Sequence, residues 1–488
     1  MDTDDDPRIH RMNEAAPREG ADFVLYWMQS SQRADDNAAL RLAIEEANRL
    51  GLPCVAVFAL TDGYPSANER HFAFMLEGLA DAAARLERLG VRLVGRRGNP
   101  VERVAELAAR AALVITDTAY LDPPRAWREA LAKRLEVPLV RVESDVVVPV
   151  GLASGKREWA ARTIRSKIAR HRDDDRFGPV PRLKPKRSSA DGTLELDPDD
   201  GGRCDLADPE ALLADLDVDR SVPRVTRFRG GTGEARRRLK VFVDEILDGY
   251  AESRRAAERR GSSELSPYLH FGQIGLGEIV RAVRDAGDGL GEDVSGFLEE
   301  VIVRRELARN YTWFERDYDK FSALPDWALK TLAEHRGDDR EHVYTRAELE
   351  AADTHDEYWN AAMREMVHTG YMHNLLRMYW GKKVLEWTNT PDHAYRTLLY
   401  LNDRYFLDGR DPSSYSNVGW VFGLHDTAWT ERPVFGKTRY MNANGLKRKF
   451  DVKGYMARVD GLVAAEGVGR AGRGDAGADG EAAGGAPG

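Results

Sequence analysis

Two cysteines, Cys54 and Cys204, are all that the 488 residues contain. So few exclude a disulfide framework and a zinc site built on cysteine, and no metal site is expected. Cys54 lies in the apolar run Pro53-Cys-Val-Ala-Val-Phe-Ala-Leu60 and reads as a small buried hydrophobe. No apolar stretch reaches the roughly 18 residues that a membrane-spanning helix needs. The N-terminus, Met1-Asp-Thr-Asp-Asp-Asp6, is too acidic for a secretory or organellar signal, so a cytoplasmic location and no membrane partner are expected. The dinucleotide fingerprint Gly-x-Gly-x-x-Gly is missing after the first apolar run, where Gln29-Ser-Ser-Gln-Arg33 stands instead. Positive charge is not in excess either. The net charge is −9, which argues against indiscriminate coating of nucleic acid.

What is present is an ordinary globular composition, 42% hydrophobic and 31% charged, long enough for two or three domains. Residues 1–20 are polar and read as a disordered tail. Residues 21–150 alternate short apolar runs (Phe23–Met28, Cys54–Leu60, 91–94, 113–116, Leu139–Val142) with helical patterns (36–50, 68–89, 101–111, 124–135). Alternation of this kind predicts a Rossmann-like α/β domain on a five-stranded parallel sheet. Residues 151–230 are rich in Pro, Gly, Asp and Arg and read as a long linker. From 231 to 458 the pattern is helical almost throughout. In 461–488, 18 of 28 residues are Gly or Ala, so 459–488 reads as a second disordered tail.

Charge clusters locally. Residues 151–172 carry seven Lys/Arg against one Glu, and 431–453 carry seven against two acids. Seven of the ten tryptophans fall between 313 and 429. Trp380 and Trp387, seven apart on one predicted helix, share a face. A packed stripe and a row of oxidisable rings look alike at this spacing. Gly230-Gly-Thr-Gly233 ahead of Arg236, Arg237 and Arg238, and Ser262-Ser263 ahead of Leu265-Ser-Pro-Tyr-Leu-His-Phe-Gly272, each fit a helix cap or part of a diphosphate cradle.

Four strings together carry a resemblance. They are Tyr26-Trp-Met-Gln-Ser-Ser-Gln-Arg33, Leu265–Gly272 as spelled above, Phe297-Leu-Glu-Glu-Val-Ile-Val-Arg-Arg-Glu-Leu-Ala-Arg-Asn-Tyr311, and Gly423-Leu-His-Asp-Thr-Ala-Trp-Thr-Glu-Arg-Pro-Val-Phe-Gly-Lys-Thr-Arg-Tyr-Met-Asn442. The chain resembles the photolyase/cryptochrome flavoproteins, and within them the class II cyclobutane pyrimidine dimer photolyases. The resemblance covers about residues 21–457. It departs at Tyr311, where Phe is usual, and at Thr438, where an aliphatic is usual. Some relatives carry Trp at the place of Arg304.

The resemblance implies a helical FAD-binding domain and a lyase that splits pyrimidine dimers in UV-damaged DNA by light-driven electron transfer from fully reduced, anionic FAD. A monomer is expected. An antenna chromophore in the N-terminal domain would be a deazaflavin rather than a folate. By the same resemblance, Tyr250, Arg254, Ser262, Ser263, Leu265 and Ser266 hold the FAD phosphates and ribityl chain. Arg377 and Asp408 pair against the flavin ring, Gly409 lets backbone approach it, and Asn402 faces its N5. Glu300 hydrogen-bonds the dimer as a neutral acid, between walls of Met378 and Trp420. Trp380 and Trp359 relay electrons, with Trp387 and Tyr379 beside them. Arg432, Lys437, Arg439, Lys447, Arg448 and Lys449 contact DNA phosphates. A cryptochrome-like photoreceptor without repair is the alternative.

Overall fold

The computed structural model describes residues 6–196 and 202–474, with side chains as far as residue 467. The N-terminal half is a sheet of seven strands: β1 (Ile9–Arg11), β2 (Phe23–Met28), β3 (Cys54–Leu60), β4 (Arg92–Arg97), β5 (Ala111–Asp117), β6 (Leu139–Val142) and β7 (Arg203–Cys204), in the order β1-β6-β5-β2-β3-β4-β7. The five central strands are parallel, as the alternation predicts. Every residue of β2, β3 and β5 is buried, which is why these strands read as unbroken apolar runs. Successive side chains point to opposite faces. Val24, Tyr26 and Met28 meet helices Ala38–Leu50 and Glu69–Leu89, while Phe23, Leu25 and Trp27 meet Pro100–Ala108 and Pro124–Arg134. Gly51 and Gly90 end the first two helices in the left-handed conformation, φ 70° and 92°. Cys54 is fully buried, and burial pushes its thiol up to about 12.

Both edge strands depart from the expected five-stranded sheet, and both are antiparallel. β1 lies inside the expected N-terminal tail and pairs Ile9 with Val142. Three residues are too few to show a period in the sequence, and their order comes from the open edge of β6. β7 pairs Gly95 with Cys204. A Cβ on Gly95 would stand 2.6 Å from the Cys204 carbonyl oxygen, so glycine permits the pairing. The segment 151–230 is therefore more than a connection. It contributes β7 and the helices Ala161–Ala169 and Pro209–Asp215, the latter capped by Asp208.

The second half is helical. Its core gathers Trp359, Met363, Leu376, Trp380, Leu398, Leu401 and Phe422. The two halves interlock through charged groups. Arg33 donates to Gly272 O, Arg70 to Tyr405 O, and Arg305 pairs with Asp145 at 2.6 Å. The second tail needs correction. Val452–Gly474 is a helix, packed on Glu357–Thr369 through Tyr455 and Val459. Gly/Ala content hid an element that is held by three polar anchors: Tyr455 and Arg458, both to Glu365, and Glu466. Residues 1–5 and 475–488 of the two expected tails lie outside the described residues.

Candidate active site

A cleft of about 470 Å³ opens in the helical half. Helix Ser266–His270, with Pro267 in its first turn, and the loop before it form one wall. Helix Asn374–Trp387, begun by a His373 side chain that accepts from Leu375 N, forms another. Helix Pro412–Val421, begun by Asp411, brings in Trp420. The fourth wall is one long helical run, Gly291–Leu298 to Arg305–Phe314, interrupted by π-helix at Glu299–Arg304. A π segment fits in one residue more than an α turn does and re-aims its side chains. It turns Glu300, Val301 and Arg304 onto the cleft.

Eleven of the expected site residues line this one cleft: Tyr250, Arg254, Ser262, Ser263, Leu265, Ser266, Glu300, Arg377, Met378, Asp408 and Trp420. Arg377 pairs with Asp408 at 3.0 Å, and its guanidinium lies 3.9 Å from the Phe406 ring centroid. Asn402 lines a small cavity of about 30 Å³ that shares Asn374, Arg377, Met378, Ser414 and Asn417 with the cleft. Its Nδ2 donates to Asp403 at 2.8 Å, which leaves Oδ1 as the acceptor. Trp380 lines the same small cavity, and its buried Nε1 has no partner among the described residues. Trp359 donates to Trp380 O at 3.0 Å and stands 5.7 Å, ring to ring, from Trp387. All three rings are buried. Tyr379 points instead to Asp356, which caps the helix carrying Trp359.

Three expectations need correction. Gly409 does not line the cleft. A Cβ there would meet Asn402 O at 2.7 Å, so the glycine answers to its own chain. Gly230–Gly233 is no cradle, because a Cβ on Gly230 would strike Phe74 O at 2.1 Å. Of the three arginines after it, Arg236 pairs with Glu278 and Arg237 with Glu234, and only Arg238 turns toward the site. Glu300 is not an isolated acid in an apolar pocket. Arg254 pairs with it at 2.6 Å. Arg304, at helical spacing from Glu300, pairs with Glu299 instead.

The residues that sequence reasoning missed brace the cleft from behind. Glu264 sits between Ser263 and Leu265 at φ +53° and holds both Arg227 and Arg238. The Glu466 carboxylate accepts from Thr226 N, Thr226 Oγ1 and Arg227 N at 2.7–2.9 Å. The C-terminal helix thus reaches the serine loop through two acids and one arginine. Lys382 is fully buried and donates to Val421 O and Thr438 Oγ1, tying the end of the Trp420 helix to the 423–441 loop. Burial pulls its ammonium down to about 7.

A second cavity, about 150 Å³, lies at the carboxyl ends of the parallel strands. Trp27, Tyr64, Tyr120 and Trp127 line it. It shares His270 and Asp411 with the cleft. Arg309 pairs with both Asp145 and Asp411 behind that shared wall, holding the Asp411 carboxyl far below its usual range despite burial.

The family model for DNA photolyase matches residues 24–186. The chain is 44% identical over 460 residues to a deoxyribodipyrimidine photo-lyase of Methanothermobacter thermautotrophicus, covering 93% of this chain and 98% of that one. This chain belongs to the DNA photolyase family. A deoxyribodipyrimidine photo-lyase of Potorous tridactylus is 37% identical over 89% of this chain and 81% of its own length. Among solved structures, a class III photolyase from Agrobacterium tumefaciens matches with a TM-score of 0.70 at 20% identity, covering 91% and 86% of the two chains. A Synechocystis cryptochrome matches with 0.69 at 18%, covering 91% and 89%. A Sulfolobus tokodaii photolyase described with two FAD molecules matches with 0.64 at 17%, covering 89% and 88%. The photolyase fold thus brings photolyases and a cryptochrome equally close, and the cleft has to separate them. Among the described residues no helix is long and apolar enough to cross a membrane.

Proposed function

We propose that this photolyase splits cyclobutane pyrimidine dimers in UV-damaged DNA, using light and an FAD held in the 470 Å³ cleft. One observation carries the reading. Groups suited to a phosphate, to a flavin ring and to a dimer line one cleft and the small Asn402 cavity that shares its wall. The three hydroxyls of Ser262, Ser263 and Ser266 and the Arg254 guanidinium fit a diphosphate and its ribityl chain. The Arg377–Asp408 pair and Asn402 fit the edge of a flavin ring. Bound FAD supplies the one-electron chemistry that opens the dimer, with no net redox change.

The protein's part is position and charge. Arg377 places positive charge where a fully reduced, anionic ring needs it, and Asp408 fixes that guanidinium. Asn402 gives one amide N–H to Asp403, and its Oδ1 accepts from a protonated ring nitrogen. Leu265 and Tyr250 close the cleft from water; Tyr250 is buried, and burial pushes its phenol up to about 12. Met378 and Trp420 give the dimer apolar walls, and Glu300 offers a polar contact to its carbonyls. A dimer stacks and pairs poorly, so extruding it costs less than the few kcal/mol of a normal base. Trp380, Trp359 and Trp387 form the buried row through which reducing equivalents enter, with Tyr379 to one side. Arg432, Lys437, Lys447, Arg448 and Lys449 are exposed and meet phosphates without reading sequence. Arg439 is held by Asp426 with its guanidinium 4.8 Å from the Trp420 ring and 4.2 Å from that of Trp429. The aromatic cavity of the N-terminal half suits a planar antenna chromophore, a deazaflavin.

A photoreceptor without repair would share the fold and the FAD. The Glu300, Met378 and Trp420 mouth and the basic run beside it favour repair. Illumination of the flavin-loaded protein with a thymine-dimer oligonucleotide separates the two. Restored thymines in light and none in the dark are expected. An unchanged dimer in a protein with full flavin content would transfer the chain to the photoreceptor reading.

A further inference from the structure

The basic run 151–172 has no part in the cleft, yet the fold sets it on the cleft's rim. Helix Ala161–Ala169 buries Ala161, Ile164 and Ile168. It packs against the π segment, where Arg165 pairs with Glu299, the residue before Glu300. Its cations fall into two groups. Arg157, Arg165, Lys167 and Arg172 pair with Glu315, Glu299, Glu158 and Asp173. Lys156, Arg162 and Arg170 are exposed and have no carboxylate partner among the described residues. Trp159 stands among them, 46% exposed, with the Arg162 guanidinium 5.7 Å from its ring centroid.

Trp159 is also fixed in place. Its carbonyl accepts from His425 Nδ1 at 2.9 Å. His425 belongs to the loop that carries Trp429, 46% exposed as well, and Arg439, which stacks on Trp420. The two basic runs thus share one rim, each with an exposed tryptophan. Arg162 and Arg170 are eight residues apart, about 12 Å along a helix axis. That distance spans three to four nucleotide steps at about 3.4 Å each.

Resting on the repair reading, we propose that Lys156, Trp159, Arg162 and Arg170 form a second docking arm for duplex DNA, holding the backbone of the strand that flanks the dimer. The arm is a phosphate and sugar contact, blind to sequence and to damage. In a chain of net charge −9, a patch of unpaired cations of this kind selects a polyanion.

The test uses the whole flavin-loaded protein and a labelled duplex, with and without a thymine dimer, titrated over a range of salt. Arg162→Ala with Arg170→Ala should lower the log–log salt slope by about 1.8, at about 0.9 per lost phosphate contact, on both duplexes alike. Trp159→Ala should weaken binding several-fold on both duplexes, with the slope unchanged, because the ring carries no charge. Lys447→Ala, in the other run, serves as the positive control. An unchanged slope and affinity in the double variant, with the control reduced, would overturn the arm. A loss confined to the dimer duplex would overturn it too, because that would make these residues lesion readers. Failure of the wild type to prefer the dimer duplex would instead count against the repair reading itself.

Discussion

The cleft and the cavity of the α/β half share one wall and differ in kind. The cleft of the helical half is lined by hydroxyls, four arginines and two ion pairs; the cavity of the α/β half sets seven aromatic rings among apolar neighbours, with Arg309 and Arg410 at its side. The first holds its charges in fixed pairs; the second sets Trp27, Tyr64, Tyr120 and Trp127 around its space. His270 and Asp411 belong to both, and Arg309 and Arg305 hold the buried charge between them with Asp145 and Asp411. On the proposed reading, chemistry belongs to the polar cleft and light collection to the aromatic cavity. The difference is one of electrostatics rather than size alone.

The largest break in that comparison should come at the ion pair. Arg377→Ala leaves the Asp408 carboxylate, only 8% exposed, without its cation. Stranding a buried charge costs about 3–5 kcal/mol. Flavin content of the purified protein should fall by more than about tenfold, a change equal to 1.4 kcal/mol. Absorbance near the flavin bands measures it, and a normal flavin spectrum would remove the pair from the ring's surroundings.

Trp380→Phe should separate two tasks inside the cleft. Light-driven reduction of the oxidised protein should be largely lost, while repair by chemically reduced protein stays close to wild type. Stopped illumination followed by absorbance checks the first, and dimer counting the second. Native photoreduction would place the electron route elsewhere.

Glu466→Ala tests the brace from the far end of the chain. It removes three hydrogen bonds from 226–227 and frees Arg227, the partner of Glu264. Flavin release in mild denaturant should speed several-fold, with Glu466→Gln intermediate. Asp460→Asn, on the same helix but in an exposed pair with Arg364, should leave the rate alone. Equal rates in all three proteins would reduce the C-terminal helix to packing.

A further effect is expected at the wall between the halves. Glu306 accepts from Val147 N and Val148 N, its Oε2 is orphaned, and burial pushes its carboxyl up to about 8. A carboxyl raised in the fold contributes stability that is present below its unfolded value of about 4.3 and is lost as pH rises through 8, at no more than about 1.4 kcal/mol per unit. Melting temperature should fall from pH 5 to pH 8.5, and Glu306→Gln should flatten that fall. An identical profile in the variant would mean that Glu306 ionises without cost.

Legibility in the sequence follows the same division. Strands such as Phe23–Met28 and Cys54–Leu60 lie where the apolar runs lie, because buried parallel strands need no partner information to declare themselves. β1 and β7 were invisible, since two or three residues gain their order from an edge rather than from a pattern. In the site, the short motifs located the lining groups. What they could not show was direction. The π segment that turns Glu300 toward Arg254, the Gly409 contact to Asn402, and the reach of Glu466 to Thr226 all depend on backbone paths set by distant packing. A Gly/Ala-rich stretch read as a tail from 459 continues the helix begun at Val452, which Tyr455 and Arg458 anchor ahead of it and Glu466 within it.

The division of labour between the cavities is tested most directly by filling the smaller one. Ala67 lines the aromatic cavity and not the cleft. Repair of a thymine-dimer duplex by Ala67→Trp would be measured per photon absorbed by the reduced flavin itself, beside the wild type. The account predicts equal flavin content and equal yield, with any loss confined to light absorbed by an antenna. Loss of repair per flavin photon would contradict it, placing the chemistry in the α/β half or across the wall that the two cavities share.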